Sequence, residues 1–361
     1  MKINFIIYLL LYVTTALAQT MPPALVILPA EYKDQTGTKL EITNMPRVRS
    51  QGPLGVCYAF VAATLAQKYY CDERKSIISD CSNLPSEREI SPIHMSAYLK
   101  EISDKLSIMD MMNYHHILID EEHLEKGGNT GRVIINSQKS FSFFSEACMS
   151  YDQFVSNYGQ SKEMANAVIS GLERTYNKYK TNSESVEACE ECVRETLQEV
   201  NKVFSTKREA AAVKNGLKRD TFGEFLYTSV FSGCKQIVKS TSPKSFGYPK
   251  LDEVKSVTNE DMIKKVKEIL NQGVPFGLSG FCTTRNPDGT CKGRHGVVVS
   301  GYKRACNASN ECRDVFKVQN SWGAEWQKLY NDGWVDAKSI FVNMQDKDNK
   351  FSSGAITWIT Q

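Results

Sequence analysis

The sequence predicts an α+β fold in two parts, helical first and strand-rich second, with an added helical segment between them. Three observations carry this. A turn at Pro53 and Gly55 is followed by Phe60, Ala62, Ala63, Leu65 and Ala66, an apolar run suited to a buried helix. From Tyr151 to Lys239 there is no proline, and apolar residues recur at helical spacing. After Pro249, β-branched runs around Val297, Val315 and Val318 read as strands. With 361 residues and 41% hydrophobic content, the chain can bury a core of one large or two ordinary domains.

Taken in order, residues 1–18 carry Lys2, an apolar core from Phe5 to Val13, and Ala16-Leu17-Ala18, the pattern of a secretory signal. The apolar core is well short of the roughly 20 residues that span a bilayer, so cleavage before Gln19 is expected. Residues 19–50 form a short proline-containing segment. Residues 51–150 are the helical part: a helix follows Cys57, and a second starts after Ser91 as N-cap with Pro92 in its first position. Gly127-Gly128-Asn129-Thr130-Gly131 is read as a loop before Val133.

Residues 151–245 form the helical insertion. Met164, Val168, Leu172, Tyr176 and Tyr179 share one helical face, and Val186, Cys189, Val193, Leu197, Val200 and Phe204 share another. The break at Thr181-Asn182-Ser183 makes the two helices antiparallel neighbours. A third helical patch includes Phe222, Phe225, Leu226 and Val230. Residues 246–361 are the strand-rich part, entered through a helix over Asn259 to Asn271 that is capped by Thr258 and stopped at Gly273.

A net charge of +3 is too small to argue for nucleic acid or an anionic membrane as partner. Eleven cysteines suit an oxidising compartment, and setting Cys57 aside leaves an even ten. Short intervals favour Cys71 with Cys81, Cys282 with Cys291, and Cys306 with Cys312. Cys148, Cys189, Cys192 and Cys234 would then pair among themselves. Cys189-Glu190-Glu191-Cys192 has no second pair or nearby histidine to complete a zinc site, so structural bonding is the better reading. His94, His115, His116 and His123 show no metal-ligand spacing. Asn307-Ala308-Ser309 is a formal glycosylation sequon.

Chemistry points to three segments. Cys57, in Gln51-Gly52-Pro53-Leu54-Gly55-Val56-Cys57, stands where a helix begins, and unpaired N–H groups at a helix N-terminus favour a thiolate. His295 precedes a β-branched strand that can mount an imidazole rigidly. Asn320, in Gln319-Asn320-Ser321-Trp322-Gly323, ends another apolar stretch and is followed by an aromatic shield. A thiol, a proton carrier and an oxyanion donor are what acyl transfer requires.

In order and in kind, these segments resemble the papain-like cysteine peptidases. The resemblance implies a helical left half and an antiparallel β-barrel-like right half with the cleft between them. It makes Cys57 the nucleophile, His295 the general acid and base, Asn320 the residue orienting the imidazole and Gln51 the side-chain oxyanion donor, six residues before Cys57. Gly127 and Gly128 fall at the substrate-binding loop, and Trp322, also on the substrate side, shields the His295–Asn320 bond. Glu89-Ile90-Ser91-Pro92 looks like the start of a second helix of the left half, and Gly333-Trp334-Val335 like the closing strand.

There are departures. Leu54 stands where most members carry a disulfide cysteine, Val56 replaces a small polar residue, and Tyr58 replaces tryptophan. Cys57 and His295 are 238 residues apart, against roughly 130 to 150 for the family, which is what marks the insertion. There is little room before Gln51 for the usual helical pro-segment. The activity implied is endopeptidase cleavage through a thioester, with trimming of chain ends, acyl transfer or binding without turnover as alternatives. The implied partner is a polypeptide substrate. No metal or organic cofactor, nucleic acid or stable membrane insertion is called for.

Overall fold

The computed structural model describes residues 24–96, 128–140, 142–158, 161–181, 189–203, 207–231, 234, 236–238, 244–286, 290–346 and 348–360. The leader, Gly127, His115, His116, His123 and most of the expected second helix lie outside them.

The chain starts with two short strands, β1 (Lys33–Asp34) and β2 (Leu40–Glu41), before helix α1 (Cys57–Glu73). Helix α2 (Pro92–Ser96) follows, with the Ser91 hydroxyl accepting from the His94 N–H as the cap requires. Helix α3 (Thr130–Ser140) begins where a loop was expected to continue, because Asn129 caps it by accepting the Arg132 N–H at 3.0 Å. Strand β3 (Ser142–Phe144) closes this part.

Among the described residues of 151–245 there are five helices: α4 (Tyr151–Tyr158), α5 (Lys162–Thr181), α6 (Glu190–Val203), α7 (Ala210–Leu217) and α8 (Phe222–Phe231). The two long ones and α8 are those read from periodicity. Helices α4 and α7 are only eight residues each, shorter than the roughly 11-residue window over which a helical period can be read. Lys178 and Tyr179 at the end of α5 meet Glu195 early in α6, while Tyr158 meets Lys202 late in it, so α5 and α6 run antiparallel. The base is closed twice, by strand β4 (Gln236–Val238) pairing with β3 and by the Cys148–Cys234 disulfide.

Strand β5 (Lys244–Tyr248), helix α9 (Asn259–Asn271), strands β6 (Phe276–Arg285), β7 (Cys291–Cys306) and β8 (Cys312–Gln319), helix α10 (Ala324–Leu329), strand β9 (Trp334–Asp336), helix α11 (Ala337–Met344) and strand β10 (Ile356–Thr360) complete the chain. The main sheet has the order β5-β10-β6-β7-β8-β9, with β1 and β2 also on β7, and every pair in it is antiparallel. It is an open path rather than a closed ring. Helix α9 carries the capping box expected at Thr258, completed by Asp261, and Gly273 follows it at a φ of +73°.

Val297, Val298 and Val299 show why the sheet is buried on both faces. Successive side chains of a strand point to opposite sides. Val298 joins the core of α1, α3 and the insertion, while Val297 and Val299 join that of α9 and α11. The insertion shares its core with the helical half: Tyr151, Phe154, Ile169, Leu172, Tyr176 and Phe225 belong to one continuous cluster with the residues of α1. Helix α1 lacks a one-sided pattern for the same reason, being enclosed from Cys57 to Cys71.

All five disulfides fall where expected: Cys71–Cys81, Cys148–Cys234, Cys189–Cys192, Cys282–Cys291 and Cys306–Cys312, with Cys57 free. Among the described residues no helix is long and apolar enough to cross a membrane, and no cluster of His, Cys, Asp and Glu could hold a metal ion.

The contact that positions the site is the crossing of α1 over β6 and β7. A Cβ on Gly277 would lie 2.6 Å from Val61 Cγ1, and one on Gly296 would lie 3.3 Å from Leu278 O and 3.6 Å from Val61. The helix can sit this close only because those side chains are missing. Gly277→Ala should therefore cost about 1–3 kcal/mol by overpacking. A lower melting temperature, largely restored when Val61→Ala is added, is the expected result; additive losses in the double variant would refute the close-approach account.

Candidate active site

Cys57 is the first residue of α1, its side chain buried at the opening turn. Burial pushes the Cys57 thiol up from its ordinary range, and backbone groups of Gly296, Tyr58 and Cys57 itself pull the other way without winning. The helix terminus thus eases the desolvation of an anion at this site but does not outweigh it. Gly296 is the neighbour of His295 on β7, so the sulfur faces the strand that carries the imidazole.

A bulge sets where His295 points. Gly280, at a φ of +85°, interrupts the β6–β7 register between Ser279↔Gly296 and Phe281↔His295. His295 is thereby paired with Phe281, whose ring meets it edge-on at 5.4 Å. Its other face is covered by Trp322, nearly parallel at 4.7 Å. Between these rings, burial pushes the His295 imidazole down to about 4, against the hydrogen bond from Asn320 that favours its charged form.

His295 Nε2 and Asn320 Oδ1 are 2.8 Å apart. An amide oxygen only accepts, so Nε2 carries the proton and Nδ1 of the neutral ring is left as an acceptor. Asn320 itself follows β8 directly and is almost wholly enclosed; its N–H is 3.4 Å from Gln327 Oε1 and its Nδ2 is buried with no hydrogen-bond partner among the described residues. The sequence-derived trio is thus brought together from three elements: Cys57 from a helix start, His295 from mid-strand, Asn320 from a strand end.

Gln51 is bonded to the segment that follows Asn320, and it is not among the residues that line the cleft. Its Nε2 donates to Leu54 O at 2.6 Å, its Oε1 accepts from the Ser321 hydroxyl at 2.5 Å, and its backbone N–H donates to Ser321 O at 2.7 Å. Ser50 bridges Trp322 in the same antiparallel manner. The Tyr151 hydroxyl donates to Gln51 O at 2.7 Å, so the first helix of the insertion touches this segment. The ring of Tyr151 packs edge-on against Phe60 of α1 at 4.8 Å.

Behind Tyr151 lies a buried ion pair. Arg49 Nη1 donates to Glu146 Oε1 at 3.0 Å and to Ile90 O at 3.1 Å, and Glu146 Oε2 accepts the Tyr151 N–H at 2.8 Å. Burial pushes Glu146 up to about 7 and Arg49 down, opposing the attraction between them. Nearby, Arg47 bonds both Glu89 and Asp152, tying residue 47 to the turn before α2 and to α4.

Cys57 and His295 line one open cleft of about 460 Å³. Its walls are Cys57, Tyr58 and Gly128-Asn129-Thr130 on the helical side, and Ser279-Gly280, Cys291-Lys292 and Arg294-His295-Gly296 on the sheet side; Ser352 to Ala355 close one end. Ser279 donates to Thr130 Oγ1 at 3.0 Å, linking the two sides. Gln51, Asn320 and Trp322 do not line it, and Gly127 lies outside the described residues. None of the described residues of 151–245 lines it either.

The sequence reading missed Ser321 and Tyr151 as the residues that hold Gln51, and Lys292, Arg294 and Ser352 to Ala355 as cleft residues. Tyr151 carried no signal, being one aromatic at the start of a short helix. A larger hollow of about 860 Å³ lies elsewhere, between α9, the β7–β8 hairpin and α11. It holds no nucleophile beside a base.

No family model and no curated protein matches the sequence. Among solved structures, the chain is similar to bromelain protease from Ananas comosus in complex with the E64 inhibitor, at 13% identity over 90% of this chain and 99% of that one, with a TM-score of 0.39. It is similar to xylellain, a cysteine protease from Xylella fastidiosa, at 14% identity over 94% and 97%, with a TM-score of 0.40. For PepW from Lactobacillus rhamnosis the identity is 13% over 84% and 81%, and the TM-score 0.36.

The buried pair gives a direct test of how the Gln51 segment is held. Removing one partner leaves the other charged and uncompensated, which costs about 3–5 kcal/mol, whereas replacing both by apolar residues is often neutral. In chemical denaturation, Glu146→Leu, which leaves the Arg49 guanidinium unpaired, should lose stability in that range and the Arg49→Met/Glu146→Leu double variant should recover most of it. Equal losses in single and double variants would contradict the assignment.

Proposed function

We propose that this protein is a papain-like cysteine endopeptidase in which Cys57 is the nucleophile, His295 the proton carrier, Asn320 the orienting residue and Gln51 an oxyanion donor. The observation that carries the reading is the His295 Nε2–Asn320 Oδ1 hydrogen bond, which leaves Nδ1 as an acceptor in the cleft that Cys57 also lines.

In the resting cleft both groups are neutral. On attack the Cys57 proton passes to His295 Nδ1 while sulfur bonds to the peptide carbonyl carbon. The carbonyl oxygen becomes an oxyanion, received by the Cys57 backbone N–H and, once its side chain turns toward the cleft, by the Gln51 amide hydrogen not given to Leu54. Collapse breaks the C–N bond, and His295 returns its proton to the departing amine. Water then attacks the thioester, gives one proton to His295, and releases the acid as the proton goes back to sulfur. Trp322, stacked on the imidazole and 42% exposed, keeps solvent from the His295–Asn320 bond. No step needs a metal or an organic cofactor.

The protein acts outside the cytoplasm on this reading, supported by five disulfides and by the leader pattern of residues 1–18. Residues 51–150 and 246–361 serve as the two catalytic halves. The insertion, residues 151–245, serves as a brace on the first, supported by the shared core and by the Tyr151–Gln51 bond.

Purified protein with residues 1–18 removed should cleave unfolded casein under mild reductant, and Cys57→Ala should lose the activity by a factor of about 10³ or more. Cleavage that survives Cys57→Ala would overturn the reading. Its pH profile has a definite sign. His295 must be neutral to accept the thiol proton, and its folded-state value is about 4. The acid limb of kcat/KM should therefore fall near pH 4; a limb near 6.5 would contradict it. Because the folded state prefers the neutral ring, the stability this group contributes is present above about pH 6.5 and lost as pH falls through 4.

A further inference from the structure

We propose that the cleft selects polypeptides carrying an acidic side chain next to the bond that is cut. The inference rests on the peptidase reading and names the substrate class of the same site.

It starts from what lines the cleft. Gly128, Gly280, Gly296, Gly354, Ser279, Ser352, Ser353 and Ala355 present small side chains or none, so the described lining residues offer no bulky aliphatic side chain to grip an apolar residue. The charged groups among the described lining residues are Lys292 and Arg294, and no carboxylate is among them. Across the whole chain, basic and acidic residues number 44 and 41. A wall with two cations and no anion thus departs from the chain's own near balance.

The two cations are mounted for the task. Both are exposed, on the strand that carries His295, and the Cys282–Cys291 disulfide fixes the start of that strand against β6. Arg294 Nη1 donates to Gly280 O at 2.8 Å across the bulge, which holds the guanidinium along the sheet-side wall. That bond takes one of its five donors, and the others can meet a carboxylate in a fork. No ion pair involving Lys292 or Arg294 occurs among the described residues, so an incoming carboxylate would displace none of their carboxylates.

The opposite wall adds to the same sign. It is formed by the first turn of α1 and by Asn129 and Thr130 at the start of the 11-residue α3, and helix N-termini carry partial positive charge. An aspartate or glutamate side chain in this cleft would meet two cations on one side and two helix starts on the other. A lysine or arginine side chain would meet like charge, with no carboxylate among the described lining residues to offset it.

The test uses the mature protein and quenched peptides identical except for Glu, Gln or Lys scanned through the four positions around the bond. At one of those positions kcat/KM for Glu should exceed that for Lys by at least about tenfold, the equivalent of 1.4 kcal/mol. The preference should shrink at high salt. Arg294→Gln should weaken it, and Lys292→Glu/Arg294→Glu should reverse it, with far-UV circular dichroism confirming that each variant is folded. Cleavage without any charge preference would overturn this inference and leave the peptidase reading standing. Were no peptide cut, the peptidase reading would fail instead, and anisotropy with the same labelled peptides on Cys57→Ala would decide here. Binding of the Glu peptide that Lys292→Glu/Arg294→Glu abolishes would support the acidic class; equal binding of all peptides, or none, would refute it.

Discussion

The structure depends on how closely α1 lies against β6 and β7. Two glycines, Gly277 and Gly296, let Val61 approach the backbone of the sheet. The start of α1 thereby reaches the same cleft as His295, although the two residues are 238 positions apart. A thiol that attacks and a base that takes its proton must share a volume of a few ångströms. The rest of the chain can be seen as what keeps that crossing in place: the sheet core behind it, the helical core above it, and disulfides at the ends of the hairpins.

Holding the site dry has an electrostatic consequence. Burial raises the thiol and lowers the imidazole, so both lean toward the neutral form. The helix terminus and Asn320 push the other way but do not dominate. On the proposed mechanism the proton is then moved during attack, and the groups that receive charge are those with fixed donors or acceptors around them. The same competition appears at Arg49 and Glu146, where a buried pair fixes position more than it adds stability. Through Tyr151 that pair connects the insertion to the Gln51 segment, so the added helices are structurally part of the helical half.

Much of this was legible in the sequence where one residue determines one feature. The Thr258 cap, the Gly273 stop, the Ser91 cap, the long helices after Tyr151 and the three disulfides of short interval could be read because capping, periodicity and short cysteine intervals are local, whereas Cys148–Cys234, 86 residues apart, was narrowed only to a group of four. The same holds for Cys57 at a helix start and His295 on a strand. What could not be read is set by tertiary contact. Asn129 ended the expected loop by capping α3, Gly280 re-aimed His295 through a bulge, and Tyr151 and Ser321 took hold of Gln51. The thiol is another case: the helix terminus suggested an anion, but the enclosing core that reverses the balance comes from residues far along the chain.

The central claim is that Cys57 and His295 act as one unit, and trapping the acyl group tests it most directly. A peptide p-nitrophenyl ester mixed with the protein at mildly acid pH, quenched and examined as intact mass, should show one added acyl group, mapped by digestion to Cys57. The adduct should be absent in Cys57→Ala and form far more slowly in His295→Ala. No adduct on the wild-type chain, or one on another side chain, would contradict the account.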